Sequence, residues 1–220
     1  MMSAKIIFLI LLPTLFCACN EAQKLETKNG FAVITPAKRG EAVATYAGGC
    51  FWAMQECMLE IKGVSKVVSG YSGGTRVNPD YNEVLSKTTG HAEAVQVYYN
   101  PEVISFEKLT EAFFNAHDPT QENGQGPDLG SDYRSIAFYR STSEKIIIQN
   151  LISRIDSING YNRPIVTEVT PFKVIYPAEA EHQDYYRKNG WDPYIRNVSR
   201  PKVLKLRKTM PYLIKSEYKD

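Results

Sequence analysis

From residue 43 onward the spacing of apolar positions switches several times between a period of two and one near 3.6, so strands and helices are predicted in alternation. Val43–Ala47 is a short apolar run and predicts a strand. Cys50–Ile61 follows with Met54, Cys57, Met58 and Ile61 on one stripe, which predicts a helix with a single buried face. Val64–Tyr71 and Ala92–Tyr99 read as strands, the second closed by Asn100-Pro101. Ser105 stands where an N-cap belongs, ahead of a helix over Phe106–His117 with Leu109, Phe113 and Phe114 apolar. Ser135–Tyr139 predicts another strand, and Ser141–Ile158 a long helix stopped by Asn159-Gly160. Ile165–Val169 and Phe172–Ile175 are strand-like, and Glu179–Lys188 predicts a helix stopped by Asn189-Gly190. The intervening stretches Ser72–Thr89 and Asp118–Ser131 are rich in Gly, Asn, Pro and Asp and have no period. Loops of that length usually carry function. Alternating helices and strands imply an α/β fold, a two-layer sandwich of a mixed sheet with helices packed on it.

The first residues follow another pattern. Lys5 precedes the apolar run Ile6–Leu12, and Leu15-Phe16-Cys17-Ala18-Cys19 comes next. A charged start, a short apolar run and a small residue before a cysteine read as an export signal. The run is too short to span a bilayer as a helix. Ala18-Cys19 resembles a bacterial lipobox, so residues 1–18 are expected to be removed and Cys19 to be lipidated. Ordinary signal cleavage and a retained anchor are the alternatives. The expected location is the cell envelope of a bacterium, exported and held to a membrane by the N-terminal lipid. Residues 19–41 are polar and mixed in charge, with Gly30, Pro36 and Gly40, and read as a tether. Within them Phe31–Ile34 reads as part of a disordered linker, with docking on the domain surface as the alternative. Residues 42–220 are one domain's worth of chain.

The charge balance is close to even, with 26 Lys and Arg against 24 Asp and Glu, and gives no argument for nucleic acid. Arg196–Lys208 is locally basic and reads as a solvated tail, or as a face for an anionic membrane surface.

The chemistry concentrates at Gly48-Gly49-Cys50-Phe51-Trp52, between the first strand and the first helix. A cysteine at a helix N-terminus gains from free N–H groups and the positive end of the dipole. Paired glycines let the chain turn tightly, and two aromatic rings supply an apolar wall. Of the four cysteines, Cys17 leaves with the signal and Cys19 takes the lipid, so Cys50 and Cys57 remain. Seven residues on one helix put them roughly 10.5 Å apart along the axis, beyond the roughly 7 Å that a disulfide spans between Cα atoms. A free thiol in an exported domain points to redox chemistry. Cys57 lies on the apolar stripe and reads as core, with a resolving role as the alternative. Three histidines and these cysteines form no metal-ligand spacing.

These segments carry a family pattern. Ala47-Gly-Gly-Cys-Phe-Trp52, Gly63-Val64, Ser69-Gly-Tyr71-Ser-Gly-Gly74, Thr89-Gly-His-Ala-Glu93, Phe113-Phe114 with His117-Asp-Pro-Thr120, Asp128-Leu-Gly with Tyr133-Arg-Ser135, and Ala178-Glu with His182-Gln183 run in order over most of 43–191. The chain thereby resembles the peptide-methionine sulfoxide reductase A family. The resemblance implies an α/β sandwich related to the ferredoxin-like plait. It implies Cys50 as the nucleophile toward the sulfoxide sulfur and Glu93 as the acid that protonates the departing oxygen. Tyr71 and Tyr133 become donors to that oxygen, Asp128 a polar residue ordering the site, and Phe51 and Trp52 the pocket for the S-methyl group. The substrates would be free and protein-bound methionine S-sulfoxide. The product would be methionine plus a sulfenic acid on Cys50. No bound metal or organic cofactor is expected, and the protein is expected to act as a monomer.

Family members often carry further cysteines that resolve the sulfenic acid. Here Ala53 follows Trp52, Leu85 stands where some members have a cysteine, and no cysteine follows Cys57. Asp132 replaces a frequent glutamine before Tyr133. A one-cysteine cycle is therefore expected, with an external thiol such as thioredoxin or glutaredoxin as reductant. Two other readings of the same residues are a cysteine hydrolase or transferase using Cys50 with His91 or His182, and a redox-sensing lipoprotein without catalysis.

Overall fold

The structure, a computed structural model, describes residue 23 and residues 25–219 except residue 159. The expected export signal and Cys19 lie outside the described residues. Among the described residues no helix is long and apolar enough to cross a membrane.

In chain order the elements are β1 (Thr27–Lys28), β2 (Phe31–Ala32), β3 (Ala42–Gly48), α1 (Phe51–Leu59), β4 (Val64–Ser72), α2 (Tyr81–Leu85), β5 (Ala92–Tyr99) and α3 (Phe106–Ala116). They continue with β6 (Gly124–Gln125), β7 (Asp128–Leu129), β8 (Ser135–Tyr139), α4 (Thr142–Ser157), β9 (Glu168–Pro171), β10 (Ile175–Pro177), α5 (Tyr185–Lys188) and α6 (Arg200–Thr209). Six strands form the main sheet in the order β10-β4-β5-β3-β8-β9. β8 and β9 pair in parallel and the other neighbours are antiparallel, so the sheet is mixed. β3 and β4 both flank β5 antiparallel, and α1 connects them. That is a split β-α-β unit, the building block of the expected fold class.

The helices lie on one face of this sheet. Tyr46, Val67, Val95 and Val97 from the strands meet Met54, Met58, Leu109, Phe113 and Phe114 from α1 and α3 in one buried cluster. Each such side chain contributes about 1.5–3 kcal/mol by leaving water. Ser105 caps α3 by accepting from the Lys108 N–H, and Ser141 caps α4 through the Glu144 N–H.

The strand expected over Phe172–Ile175 lies instead at β10, Ile175–Pro177, and four further departures from the sequence-based expectations have a physical reason. Within 72–89 lies α2, closed at its start by a capping box in which Asp80 and Glu83 serve each other's N–H groups. The helix expected over 179–188 is two short pieces, 180–182 and α5, because Asp184 adopts a left-handed conformation at φ 54°. The described part of the expected tether packs on the domain. Ala32 is buried and its N–H donates to the Ala178 carbonyl, while the Gln23 side chain bonds both the N–H and the carbonyl of Val67. Finally, the basic segment is α6, whose Val203 and Leu206 are buried beneath exposed Arg200, Lys205 and Lys208. A charged composition concealed a stripe of Val203, Leu206 and Met210.

Candidate active site

β3 ends at Gly48, and two residues later α1 begins, with Cys50 as its N-cap. Gly49 has φ +83°, and a Cβ there would fall 2.5 Å from the Gln125 side chain. Only glycine fits that turn without strain. Gln125 in turn bonds the N–H and the carbonyl of Asp118, which ties the 118–131 loop against the cysteine turn.

Glu93 reaches this turn from β5. Its carboxylate accepts the Phe51 N–H at 2.8 Å, one of the otherwise unpaired donors at the start of α1. Glu93 is 2 % exposed, and burial, reinforced by the charges of Asp132 and Asp128, pushes its pKa up to about 8. The Phe51 N–H and Lys202 pull the other way. The carboxyl therefore keeps its proton near neutral pH, as a general acid must.

Burial and the neighbouring Glu93 carboxylate raise the Cys50 thiol, while Tyr194, the Trp52 N–H and Lys202 act to lower it. The helix terminus alone does not make the ready thiolate expected from the sequence, because the sulfur is 5 % exposed and has lost its water. Glu93 and Cys50 are coupled. While Glu93 holds its proton, the repulsion it exerts on a thiolate is absent. A neutral acid beside a thiolate is thus a consistent charge state of the pair.

Tyr194 donates to Asp128 Oδ2 at 2.6 Å and also contacts the Cys50 sulfur. It has one hydroxyl proton for both acceptors. Asp128 thereby fixes the Tyr194 hydroxyl beside the cysteine. Lys202 Nζ lies 3.9 Å from the same Asp128 oxygen.

The tyrosines are redistributed relative to expectation. Tyr71 pairs with Glu93 across β4 and β5, yet its hydroxyl donates to Glu179 Oε2 at 2.8 Å. It is committed to the floor of the site. The other Glu179 oxygen accepts the Tyr81 N–H at 2.9 Å and so anchors the start of α2. Tyr81 and Tyr133 share the electrostatic neighbourhood of Glu93 and Cys50, and burial with those charges raises both phenols. Asp132, just before Tyr133, is 1 % exposed, and neither of its oxygens has a hydrogen-bond partner among the described residues.

Phe51 and Trp52 form the expected aromatic wall. Trp52 stacks on Tyr185 at 3.8 Å and meets Tyr194 edge-on at 5.7 Å, while His182 packs against both Phe51 and Trp52. Two of the histidines are committed to other partners. His91 accepts the Gly74 N–H at Nδ1, which leaves Nε2–H to donate to the Arg76 carbonyl. His117 bonds Phe113 and Ser135, and burial lowers it to about 4. His91 is therefore not free to act as the base of a cysteine hydrolase, and among the described residues no hydrogen bond joins His182 to Cys50. Cys57 is 1 % exposed in the α1 core, and neither it nor Cys50 is in a disulfide. Among the described residues no cluster of His, Cys, Asp or Glu could hold a metal ion.

Tyr81, Glu179, Tyr194 and Lys202 were not anticipated. Tyr81 had a local signal in the Asp80–Glu83 capping box. Lys202 had one in its place beside Val203 and Leu206, a charge at the edge of an apolar stripe. Nothing local distinguishes Tyr194 among fourteen tyrosines.

The family model described as peptide methionine sulfoxide reductase matches residues 42–212. A peptide methionine sulfoxide reductase MsrA from Natronomonas pharaonis is 46% identical over 162 residues, covering 74% of this chain and 91% of that protein. The MsrA of Saccharolobus solfataricus is 43% identical over 173 residues, 79% of this chain and 97% of that protein. Among solved structures, the reduced form of Mxr1 from Saccharomyces cerevisiae superposes with a TM-score of 0.67 at 33% identity, covering 72% of this chain and 91% of that one.

Proposed function

The chain belongs to the peptide methionine sulfoxide reductase family, and we propose that it reduces the S-epimer of methionine sulfoxide by attack of the Cys50 thiolate, with Glu93 as the proton donor. Membership makes the enzyme a methionine sulfoxide reductase; the epimer, the residue roles and the recycling step are the proposal. The observation that carries it is the buried Glu93 carboxyl, held at 2.8 Å by the N–H of the residue after Cys50 and protonated up to about pH 8.

A sulfoxide sulfur is partly positive, but oxide is too basic to leave unprotonated. The S-methyl group would rest against Phe51 and Trp52, with the oxygen toward Tyr81, Tyr133 and Glu93. The Cys50 thiolate attacks the sulfur as Glu93 delivers its proton to the oxygen. The S–O bond breaks with its electron pair on oxygen, the hydroxide so released adds to the Cys50 sulfur, and methionine leaves with the electron pair of the S–S bond formed in the attack. Tyrosine hydroxyls stabilise charge on the oxygen without adding a second charge to the pocket. Cys50 is then a sulfenic acid.

Recycling takes an external thiol. It attacks the sulfenic sulfur, water leaves, and a second thiol releases Cys50 from the mixed disulfide. Cys57 is buried on the helix that Cys50 caps, and Ile195 is the apolar residue beside Tyr194. Thioredoxin- or glutaredoxin-type dithiols fit this demand. The lipobox-like Ala18-Cys19 supports a membrane-tethered enzyme acting on exported proteins.

The test is turnover of the two enantiomers of methyl p-tolyl sulfoxide with dithiothreitol. The S enantiomer should be consumed and the R enantiomer spared, with Cys50→Ser inactive. Equal consumption of both enantiomers, or full activity of Cys50→Ser, contradicts the proposal.

A further inference from the structure

The catalytic sulfur lies in a setting that opposes its ionisation, and the two hydrogen-bonding groups near it do not remove the difficulty. Cys50 is almost completely buried. The Tyr194 hydroxyl has one proton, which lies on Asp128 Oδ2 at 2.6 Å. The Trp52 N–H is a neutral donor. A thiolate in a desolvated pocket needs a positive charge nearby.

One cation is delivered to this place by an element far along the chain. Lys202 projects from the first turn of α6, and its Nζ is buried with no hydrogen-bond partner among the described residues. It approaches Asp128 only at 3.9 Å, longer than a hydrogen bond. It also lies 3.8 Å from where a Cβ on Gly49 would stand, so it faces the backbone immediately before Cys50. Burying an ammonium without hydrogen bonds is costly, and each such group in a folded protein asks for a reason.

Its position is enforced. Val203 and Leu206 are buried against α1 and α3, and Arg207 forms a two-point ion pair with fully buried Glu60 at 2.7 and 2.8 Å. With α6 clamped in this way, position 202 faces the cysteine turn, whereas Arg200, Lys205 and Lys208 on the same helix are exposed. Lys202 acts to lower Cys50 and Glu93 together, and it also bears on Cys57 and His117. The other titratable groups around the cysteine include the acids Glu93, Asp128, Asp132, Tyr81, Tyr133, Tyr185 and Tyr194, and His182, which packs on Phe51 and Trp52 and is lowered by burial. Lys202 is the cation placed to offset these acids.

We propose that Lys202 is a positioning residue of the active site, the buried cation through which the C-terminal helix favours ionisation of the Cys50 sulfur. The proposal rests on the sulfoxide reductase reading for its purpose, but its test does not use a sulfoxide.

The experiment is the rate of iodoacetamide labelling of Cys50 against pH in the full chain, read by peptide mass mapping so that Cys57 is scored separately. In Lys202→Met the midpoint for Cys50 should move up by about one unit, which slows labelling at neutral pH about tenfold. Lys202→Arg, which keeps the charge, should return the rate to within about threefold of wild type. Lys202→Gln should behave as Lys202→Met and substitutes for it if the methionine variant does not fold. A labelling curve for folded Lys202→Met or Lys202→Gln that superposes on wild type overturns the proposal, as does failure of Lys202→Arg to restore the rate. Because labelling needs no turnover, an inactive wild type would refute the reductase mechanism alone. An unshifted midpoint with normal turnover would refute only the role of Lys202.

Discussion

A carboxyl that must donate a proton at neutral pH has to be kept from ionising before substrate arrives. Burial does this for Glu93, and the same burial sets a pH window for stability. The folded state holds the proton up to about pH 8, whereas an ordinary glutamate carboxyl loses it near 4.5. Because the folded-state value is raised, the group favours the folded state fully below pH 4.5, and that contribution is lost as pH rises through 8. Glu93→Gln should therefore gain thermal stability relative to wild type as pH increases from 4.5 to 8, by ~3 °C or more at the alkaline end. The same variant should reduce sulfoxide about 10²–10⁴-fold more slowly while still binding it. It should also lack the alkaline decline that wild type shows above pH 8. Melting curves and single-turnover rates across pH check both. A parallel comparison separates the tyrosines. Tyr81→Phe should slow reduction about tenfold or more. Tyr71→Phe removes a buried hydroxyl bonded to Glu179 and should lower stability by about 1 kcal/mol with a smaller kinetic effect. The reverse ranking would return the donor role to Tyr71.

At the scale of elements, legibility in the sequence followed the strength of the local pattern. β3, β4, β5 and β8 stood out because their apolar runs are bounded by Gly, Asn and Pro. α3 stood out because Ser105 and Phe113-Phe114 mark both its start and its buried face. α2 was hidden by its Gly- and Asn-rich surroundings, although Asp80 and Glu83 announce it. The break at Asp184 could not be read, since a left-handed aspartate is selected by Gln55, Gln23 and the other distant partners that hold it. Of the site, Cys50, Glu93, Phe51 and Trp52 were legible from one motif each. Tyr194 and Lys202 were not, because they reach the cysteine only through the packing of α6 and the turn before it. That packing can be tested by itself. Arg207→Met leaves the fully buried Glu60 without the ion pair made to it at 2.7 Å and should destabilise the protein by about 3–5 kcal/mol. Below its melting point the variant should also label Cys50 more slowly, since α6 carries Lys202. Denaturant titration reads the first effect and alkylation the second.

Across the whole molecule the catalytic domain and the segment before it are physically joined. The β1–β2 hairpin lies along the domain: the Gly30 carbonyl accepts from the Ala180 N–H, and Phe31 forms a bridge to Glu179, the residue that holds both Tyr71 and α2. A chain beginning at Ala42 retains the family-matched region and should fold and turn over, with a melting temperature lower by several degrees and activity within about threefold of the full chain. Complete loss of folding would show that the hairpin belongs to the core. The domain's chemistry, by contrast, is expected to depend on something outside it, because Cys57 is locked in the core and Cys50 has no disulfide partner among the described residues. The most direct measurement is therefore intact mass with peptide mapping after one equivalent of methionine S-sulfoxide in the absence of any reductant. The account predicts a chain one oxygen atom heavier, with the oxygen on Cys50 and methionine released in equal amount. An unchanged mass, or a Cys50–Cys57 disulfide in place of the sulfenic acid, would contradict it.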